Sequence, residues 1–586
     1  MCRRFFEETA MTRARFTRRP ALLAALGMPA LLVGGCADTA KRTGTETPVP
    51  VAQQAANDVT VTGSRVIAPN EPAPPPPPPP PPVPAPVMMM SAQRIGMPLP
   101  PHAPPFSMTG RDRFTPIKQN PFQRVAEAPV STFSLDVDTA SYAFVRASLN
   151  RGMLPPRDAV RTEELVNYFP YDYAPAKSAA EPFSTDLSVF PSPWAPGRLI
   201  VRVGVRGYEL TRTTRPRANL VFLVDTSGSM MEPNKLPLVK QSLELLLDSL
   251  GENDRVAIVA YAGQAGTVLE PTPASDRTRI LAALDRLEAG GSTAGAEGIR
   301  QAYALAERDF DPKGVNRVIL ATDGDFNVGI TDQDQLKTYI EAERAKGVYL
   351  SVLGFGMGNY NDALMQTLAQ NGNGVAAYID TLNEARKTLV AEASSSLFPI
   401  AKDVKVQVEF NPAAVAEYRL IGYENRLLAR EDFNNDKIDA GDVGAGRTVT
   451  ALYEVVPVGG PRTVDPLRYP KPAKTGAAKA RAAELGFVKI RYKLPKASTS
   501  RLIARPIPLA HAARFADAPR DARFATAVAG FAELLRGGTY EGRFGYGDVA
   551  RIAAGAKGPD PFGYRAEFID LVAKAHAAQA MPPLVR

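Results

Sequence analysis

Apolar strand segments alternate with amphipathic helix patterns between about residues 217 and 393, and this alternation restricts the fold more than any other feature of the sequence. The run 220–224 is apolar without interruption, as in a strand that is buried on both faces. Later strand segments, separated by helix patterns, are residues 256–261, 317–321, 349–353 and 378–379. Such alternation predicts an α/β domain at residues 217–393, built on a doubly wound parallel sheet.

The segments on either side of this domain carry different patterns. Apolar and polar residues alternate with period two in four segments, which is typical of strands with one solvent-facing side. These segments are residues 199–206, 405–410, 449–455 and 486–492. We predict that they form an antiparallel β-sandwich that brackets the α/β domain. By these patterns, residues 121–216 combine helices with strands, residues 394–507 are β-rich, and residues 508–586 form a C-terminal helical region.

The N-terminus has the pattern of an export signal followed by a spacer. Residues 1–35 contain an Arg-rich stretch and an apolar run that is too short to span a bilayer. The true start is open between Met1 and Met11. Residues 36–120 hold 21 of the 54 prolines, nine of them in a row. Because this composition cannot build a core, we predict a disordered, extended Pro-rich linker.

The signal segment ends in Leu32-Val-Gly-Gly-Cys36, which resembles the lipobox of bacterial lipoproteins. The resemblance implies cleavage before Cys36, lipidation of its thiol and a membrane anchor. Ala37 after the cysteine favours, by the same resemblance, the outer membrane, with the folded part facing the periplasm. The alternative is an ordinary signal peptide that ends near a cysteine by chance.

Composition excludes several classes of function. The net charge is +8, and half of it comes from the first 35 residues, where six Arg stand against two Glu. The remainder is too weakly basic for nucleic-acid binding, which needs a clustered basic face. With two Cys and three His, the chain cannot build a thiolate or imidazole zinc site or a disulfide scaffold. A Ser-His-Asp or Cys-His catalytic centre is nearly excluded as well.

Oxygen-bearing side chains follow three strand or loop segments of the predicted α/β domain. Asp225, Ser227 and Ser229 come directly after the buried strand, Thr293 lies on a loop before a helix, and Asp323 ends another strand. Ligands bind at the carboxyl edge of a doubly wound sheet. Two carboxylates and three hydroxyls at one edge suit a divalent cation with octahedral oxygen geometry, magnesium above all.

These five residues match the metal-ion-dependent adhesion site of von Willebrand factor type A (VWA) domains. The wider chain resembles the YfbK-type bacterial lipoproteins with a VWA domain, through residues 133–142, 354–362, 418–425 and 561–565. The resemblance implies that Ser227 and Ser229 ligate Mg²⁺ or Mn²⁺ directly. It also implies that Thr293 binds directly or through water and that Asp225 and Asp323 act mostly through water. A carboxylate from a partner would then complete the coordination.

Other patterns in the sequence have simpler interpretations. Asp-x-Ser-x-Ser by itself also fits a cap at a strand end. The glycines of residues 354–358 lack the spacing of a nucleotide-binding loop and predict a tight loop. Residues 432–443 begin like a calcium loop but lack the required Gly and Glu. Asp136 and Asp138 are interpreted as turn residues rather than as a second metal site.

The sequence therefore predicts an envelope-anchored module that binds an acidic protein partner through a divalent metal and is not an enzyme. Two other functions stay open. One is an assembly factor or co-chaperone for an envelope complex, as some VWA proteins assist ATPases. Export argues against it, because those ATPases need cytoplasmic ATP. The other is a metal-dependent hydrolase, which would need a second metal or a placed general base that the motif does not offer.

Overall fold

The computed structural model describes residues 112–135, 138–211, 214–292, 295–324, 333–358, 360–438, 440–465 and 483–580. The predicted signal segment, Cys36 and most of the predicted linker lie outside these residues. None of the helices within them combines the length and the apolar character that crossing a membrane requires.

The described helices and strands fall into three groups along the chain. The first group is β1 (Gln123–Arg124), β2 (Val130–Ser134), α1 (Ala140–Asn150), α2 (Thr162–Val166), β3 (Phe183–Pro191) and β4 (Leu199–Gly207). The second is β5 (Ala218–Asp225), α3 (Leu236–Ser249), β6 (Arg255–Tyr261), β7 (Ala265–Pro273), α4 (Arg277–Asp285), α5 (Gly295–Arg308), β8 (Val315–Thr322), α6 (Gln333–Lys346), β9 (Val348–Phe355), α7 (Asp362–Asn371), β10 (Ala376–Ile379), α8 (Leu382–Arg386) and α9 (Ala393–Leu397). The third is β11 (Pro399–Phe410), β12 (Val415–Ile421), β13 (Val443–Gly444), β14 (Thr448–Pro457), β15 (Glu484–Lys493), β16 (Ser500–Pro508), α10 (Arg520–Arg536), α11 (Tyr546–Ala556) and α12 (Tyr564–Ala580).

The second group is built on a six-stranded sheet with the order β10-β9-β8-β5-β6-β7. The first five of these strands run parallel, so their carboxyl ends lie along one edge. β7 pairs antiparallel with β6, so the predicted doubly wound parallel sheet carries one antiparallel edge strand that the sequence analysis did not include. The sequence pattern did not indicate β7 because the strand contains two prolines. Proline is tolerated in an edge strand, where one side makes no ladder hydrogen bonds.

Helices cover both faces of this sheet. Leu220, Phe222 and Val224 of β5 belong to a core that includes residues of α3, α4, α8 and α9. The two residues between them belong to a second core, which includes residues of α5, α6 and α7. The uninterrupted apolar run of β5 is thus explained by burial on both faces. α1 also contributes to the second core, through Phe144.

Two further sheets enclose a common core, as the sequence predicted for the β-sandwich. One sheet has the order β1-β12-β14-β4-β3, and the other has the order β13-β11-β15-β16 with β2 paired to β11. β4 precedes the α/β domain in the chain and pairs antiparallel with β14, which follows it. The α/β domain is therefore an insertion between β4 and β11.

The C-terminal helices share a core with the helices that precede the α/β domain. Buried residues of α10, α11 and α12 cluster with residues of α1 and α2. Apolar residues at helical spacing in the sequence make up much of this core, with Leu534 only partly buried against it; they are Tyr142, Val145, Leu149, Val160, Leu165, Val166, Phe169, Phe524, Val528, Phe531 and Leu535. Helices from before and after the α/β domain consequently share one core.

Residues 112–120, which the sequence analysis assigned to the linker, already contact the folded part. The carboxylate of Asp112 accepts hydrogen bonds from the backbone N–H groups of Gly358 and Tyr360. Asn120 is buried and donates to the carbonyl oxygen of Gly422 at 2.8 Å. Composition alone could not locate this boundary, because these contacts are made with residues far along the chain.

Candidate metal centre

The motif after β5 and the residue after β8 meet at the carboxyl edge of the α/β sheet. β5 ends at Asp225, and Asp323 follows the last residue of β8. The two strands are parallel neighbours, with Val224 opposite Ala321. This register brings the two carboxylates to the same place, as the sequence predicted.

Asp225 is held by hydrogen bonds on both carboxylate oxygens. Oδ1 accepts the backbone N–H of Ser227 at 2.9 Å, and Oδ2 accepts the hydroxyls of Thr322 at 3.0 Å and Tyr261 at 3.2 Å. Burial raises the pKa of Asp225; the hydrogen bonds from Ser227 oppose this rise, and the negative charge of Asp323 adds to it. A cation between the two carboxylates would favour their ionised forms.

The two serines present their hydroxyls side by side. Ser227 Oγ and Ser229 Oγ lie 3.1 Å apart. Neighbouring ligands of an octahedral Mg²⁺, each about 2.1 Å from the ion, are about 3 Å apart. Ser227 is buried, whereas Ser229 lies in the short 3₁₀ helix Gly228–Met231 and is exposed. The residues present therefore fit an octahedral cation that is open to solvent on one side.

Asp323 is paired with a lysine that the sequence analysis did not single out. Nζ of Lys235 lies 3.0 Å from Oδ2 of Asp323 and 3.0 Å from the carbonyl oxygen of Ser229. Both charged side chains are buried. A lysine in front of an apolar helix has the local pattern of a solvent-facing residue, so no pattern in the sequence indicated its role. Tyr261 and Thr322 were also missed as hydrogen-bond donors to Asp225, because each ends a different strand and meets Asp225 only across the sheet.

Thr293 lies outside the described residues, so its place at this centre stays a prediction. The loop before it is held against the serine motif by two backbone hydrogen bonds. Gly290 N–H donates to the carbonyl of Thr226 at 2.8 Å, and Gly228 N–H donates to the carbonyl of Gly291 at 3.1 Å. The loop therefore contacts the serine motif at Gly290 and Gly291.

The other carboxylates that the sequence singled out make structural contacts. Asp138 accepts the backbone N–H of Ala376 at 3.0 Å, and Asp436 accepts from Arg491 at 3.1 Å. Asp136 lies outside the described residues. Within the part of the chain that the structure describes, no group of three or more His, Cys, Asp or Glu side chains could hold a metal ion. The candidate centre combines two carboxylates with hydroxyls instead.

Three protein families match successive parts of the chain. The family described as "von Willebrand factor" matches residues 108–202, and the one described as "von Willebrand factor type A domain" matches residues 219–392. The family described as "Uncharacterized protein YfbK, C-terminal" matches residues 395–578. The middle match coincides with the inserted α/β domain.

Individual proteins are similar to larger or smaller parts of the chain. The chain is 45% identical over 471 residues to the Escherichia coli (strain K12) protein "Uncharacterized protein YfbK", covering 79% of this chain and 81% of that protein. It is 30% identical over 188 residues to "Uncharacterized protein sll0103" of Synechocystis, covering 32% of this chain and 44% of that one. The solved structure "von Willebrand factor type A from Catenulispora acidiphila" is 16% identical, with a TM-score of 0.37, and the match covers 64% of this chain and 87% of that one.

Proposed function

The chain belongs to the YfbK-type family of proteins with a VWA domain, and from this membership we propose that it is an envelope-anchored, metal-dependent protein-binding module. VWA domains mediate protein–protein interaction, and proteins of this kind are generally non-enzymatic scaffolds. The observation that carries the proposal is the pair of serine hydroxyls 3.1 Å apart beside Asp225, at the carboxyl edge of the sheet.

The proposed cation is Mg²⁺ or Mn²⁺. The residues that would hold it are Asp225, Ser227, Ser229, Thr293 and Asp323. When bound, the ion supplies a coordination position that a carboxylate of a protein partner can fill. Met231 ends the short 3₁₀ helix that contains the exposed Ser229, and 68% of its surface is accessible. This supports a partner whose acidic side chain is flanked by apolar groups, because excluding water strengthens the electrostatic contact.

The proposed anchor is the lipidated thiol of Cys36. The 21 prolines between Cys36 and residue 120 would keep the connecting segment extended, at roughly 3.1 Å per residue where polyproline II forms. Such a spacer would hold the folded part away from the membrane, where a partner can reach the metal centre. We place the protein at the outer membrane facing the periplasm, with no role in nucleic-acid binding.

Cross-linking capture from the cell envelope tests the proposal. The full-length protein serves as bait in Mg²⁺, in EDTA and as the double variant Ser227→Ala, Ser229→Ala, which leaves the ion pair of Lys235 with Asp323 intact. We expect recovery of the partner to fall at least about tenfold in EDTA and in the variant, which corresponds to a lost coordinate contact of about 1.4 kcal/mol or more.

The matched control is Thr338→Ala with Thr367→Ala, which removes two hydroxyls from exposed faces of α6 and α7. It should capture the partner as the unsubstituted protein does. Equal recovery under all conditions would place partner binding on another surface. Loss of the circular dichroism signal in the serine variant would show that these hydroxyls support the fold instead.

A further inference from the structure

Lys235 carries its charge inside the candidate metal centre. Its side chain is only 6% exposed, and Nζ donates to Asp323 and to the carbonyl oxygen of Ser229. Gly356 lies against the lysine stem so closely that a β-carbon at this glycine would be 2.5 Å from Cε of Lys235. The ammonium group is therefore fixed at one place in the centre.

Local physical chemistry does not favour a lysine at this position. Lys235 is the residue before α3 and makes no side-chain capping hydrogen bond. The first turn of a helix carries partial positive charge, so a cation there is unfavourable, and Ser, Thr, Asp or Asn is the preferred cap. The contact with Asp323 offsets this cost. The stabilising contacts of Lys235 are thus made with the candidate metal centre and not with the helix.

We propose that Lys235 is a positioning residue that competes with the divalent cation for Asp323 and thereby limits how tightly the centre holds its metal. The inference rests on the proposed function. With both carboxylates ionised, the two negative charges of Asp225 and Asp323 exceed the single positive charge of Lys235, so the net charge of the centre without metal is negative. A divalent cation makes it positive. Lys235 therefore makes the attraction of a partner carboxylate depend on whether the metal is present.

Replacement of Lys235 by methionine tests this competition. Lys235→Met keeps most of the stem against Gly356 and removes the charge. We expect Mg²⁺ to bind the variant at least about tenfold more tightly, because the ion no longer shares Asp323 with a second cation a few ångströms away. Isothermal titration of the full-length protein with MgCl₂ measures the Kd.

Two further variants keep the test decisive. Lys235→Gln keeps a polar side chain beside Asp323 but carries no charge, and it should also tighten Mg²⁺ binding even where Lys235→Met does not fold. Lys240→Met is the matched control on α3, where the ammonium donates to the carbonyl of Asp285. This control should leave the Kd unchanged.

The possible outcomes separate this inference from the proposed function. If Lys235 only supports the structure, both variants should bind Mg²⁺ more weakly. That result, or an unchanged Kd, would contradict the proposed competition but leave the proposed metal dependence standing. If the variants bind Mg²⁺ and the unsubstituted protein does not, the result would support the competition and contradict a metal-dependent function of the unsubstituted protein. If no form binds Mg²⁺, both proposals are wrong.

Discussion

Glu163 is a buried carboxyl whose ionisation opposes folding. Burial and the negative charges of Glu424 and Glu164 raise its pKa to about 7, from an ordinary value of 4.5. The backbone N–H of Tyr423 donates to it at 2.9 Å and partly opposes this rise. Because the folded pKa is the higher one, the folded state binds the proton more tightly than the unfolded chain does. This group therefore lowers the free energy of unfolding as pH rises from about 4.5 to about 7.

The variant Glu163→Gln removes this cost. We expect it to gain about 1–3 kcal/mol of stability over the unsubstituted protein at pH 8, and the gain to vanish near pH 4.5. Urea unfolding at several pH values measures the difference. Glu127→Gln, at an exposed carboxyl, controls for a general effect of the substitution. A gain that is the same at pH 5 and pH 8 would contradict the assignment.

Arg146 connects four elements through one buried guanidinium group. It lies on α1 and donates to Asp380 at the end of β10, to Glu384 on α8 at 2.8 Å and to Glu567 on α12 at 3.2 Å. The arginine is 2% exposed. The α/β domain is thus tied by charge to both the preceding and the C-terminal helices. Removing one member of such a cluster leaves other charges buried without compensation.

The variant Arg146→Met should therefore lose about 3–5 kcal/mol of stability, because Asp380 and Glu384 stay buried without the positive charge that pairs with them. Urea unfolding provides the measurement. Arg551→Met is the matched control: it breaks an exposed ion pair with Asp548 on α11, and it should cost at most about 1 kcal/mol. Equal costs in the two variants would show that the Arg146 cluster does not hold the elements together.

At the scale of the whole molecule, the chain passes through the α/β domain before it can complete the sandwich. Thr448 of β14 pairs with Arg206 of β4, and the whole second group of elements lies between them. Long-range pairing of this kind has to follow the closure of a long loop. The insertion also places the candidate metal centre on a domain that is bonded to α1 through Arg146.

The proposed lipid anchor concerns the whole molecule but depends on one residue, Cys36. Cys36→Ser should release the protein from the membrane fraction after cell breakage, because no acyl chain can be attached. Fractionation with detection of the protein in pellet and supernatant measures the effect. Cys36 and Cys2 are the two cysteines of the chain, so Cys2→Ser is the matched control and should stay in the pellet. Membrane retention of Cys36→Ser would contradict the anchor.

The sequence by itself determined the architecture and the core of the candidate site. Periodicity separated the α/β insertion from its β-rich and helical neighbours, because burial on one or two faces leaves a pattern in consecutive residues. Asp225, Ser227, Ser229 and Asp323 were predictable because the carboxyl ends of neighbouring parallel strands must meet at one edge. Both inferences need only local patterns and one rule of topology.

Only the tertiary structure showed the antiparallel β7, the role of Lys235 beside Asp323 and the ion cluster around Arg146. Each depends on residues that are distant in sequence, and none leaves a pattern in its own segment. A charged side chain is predicted to be solvent-exposed until its partner is known. In the interior it is stabilised by an opposite charge, and another element of the fold supplies that charge.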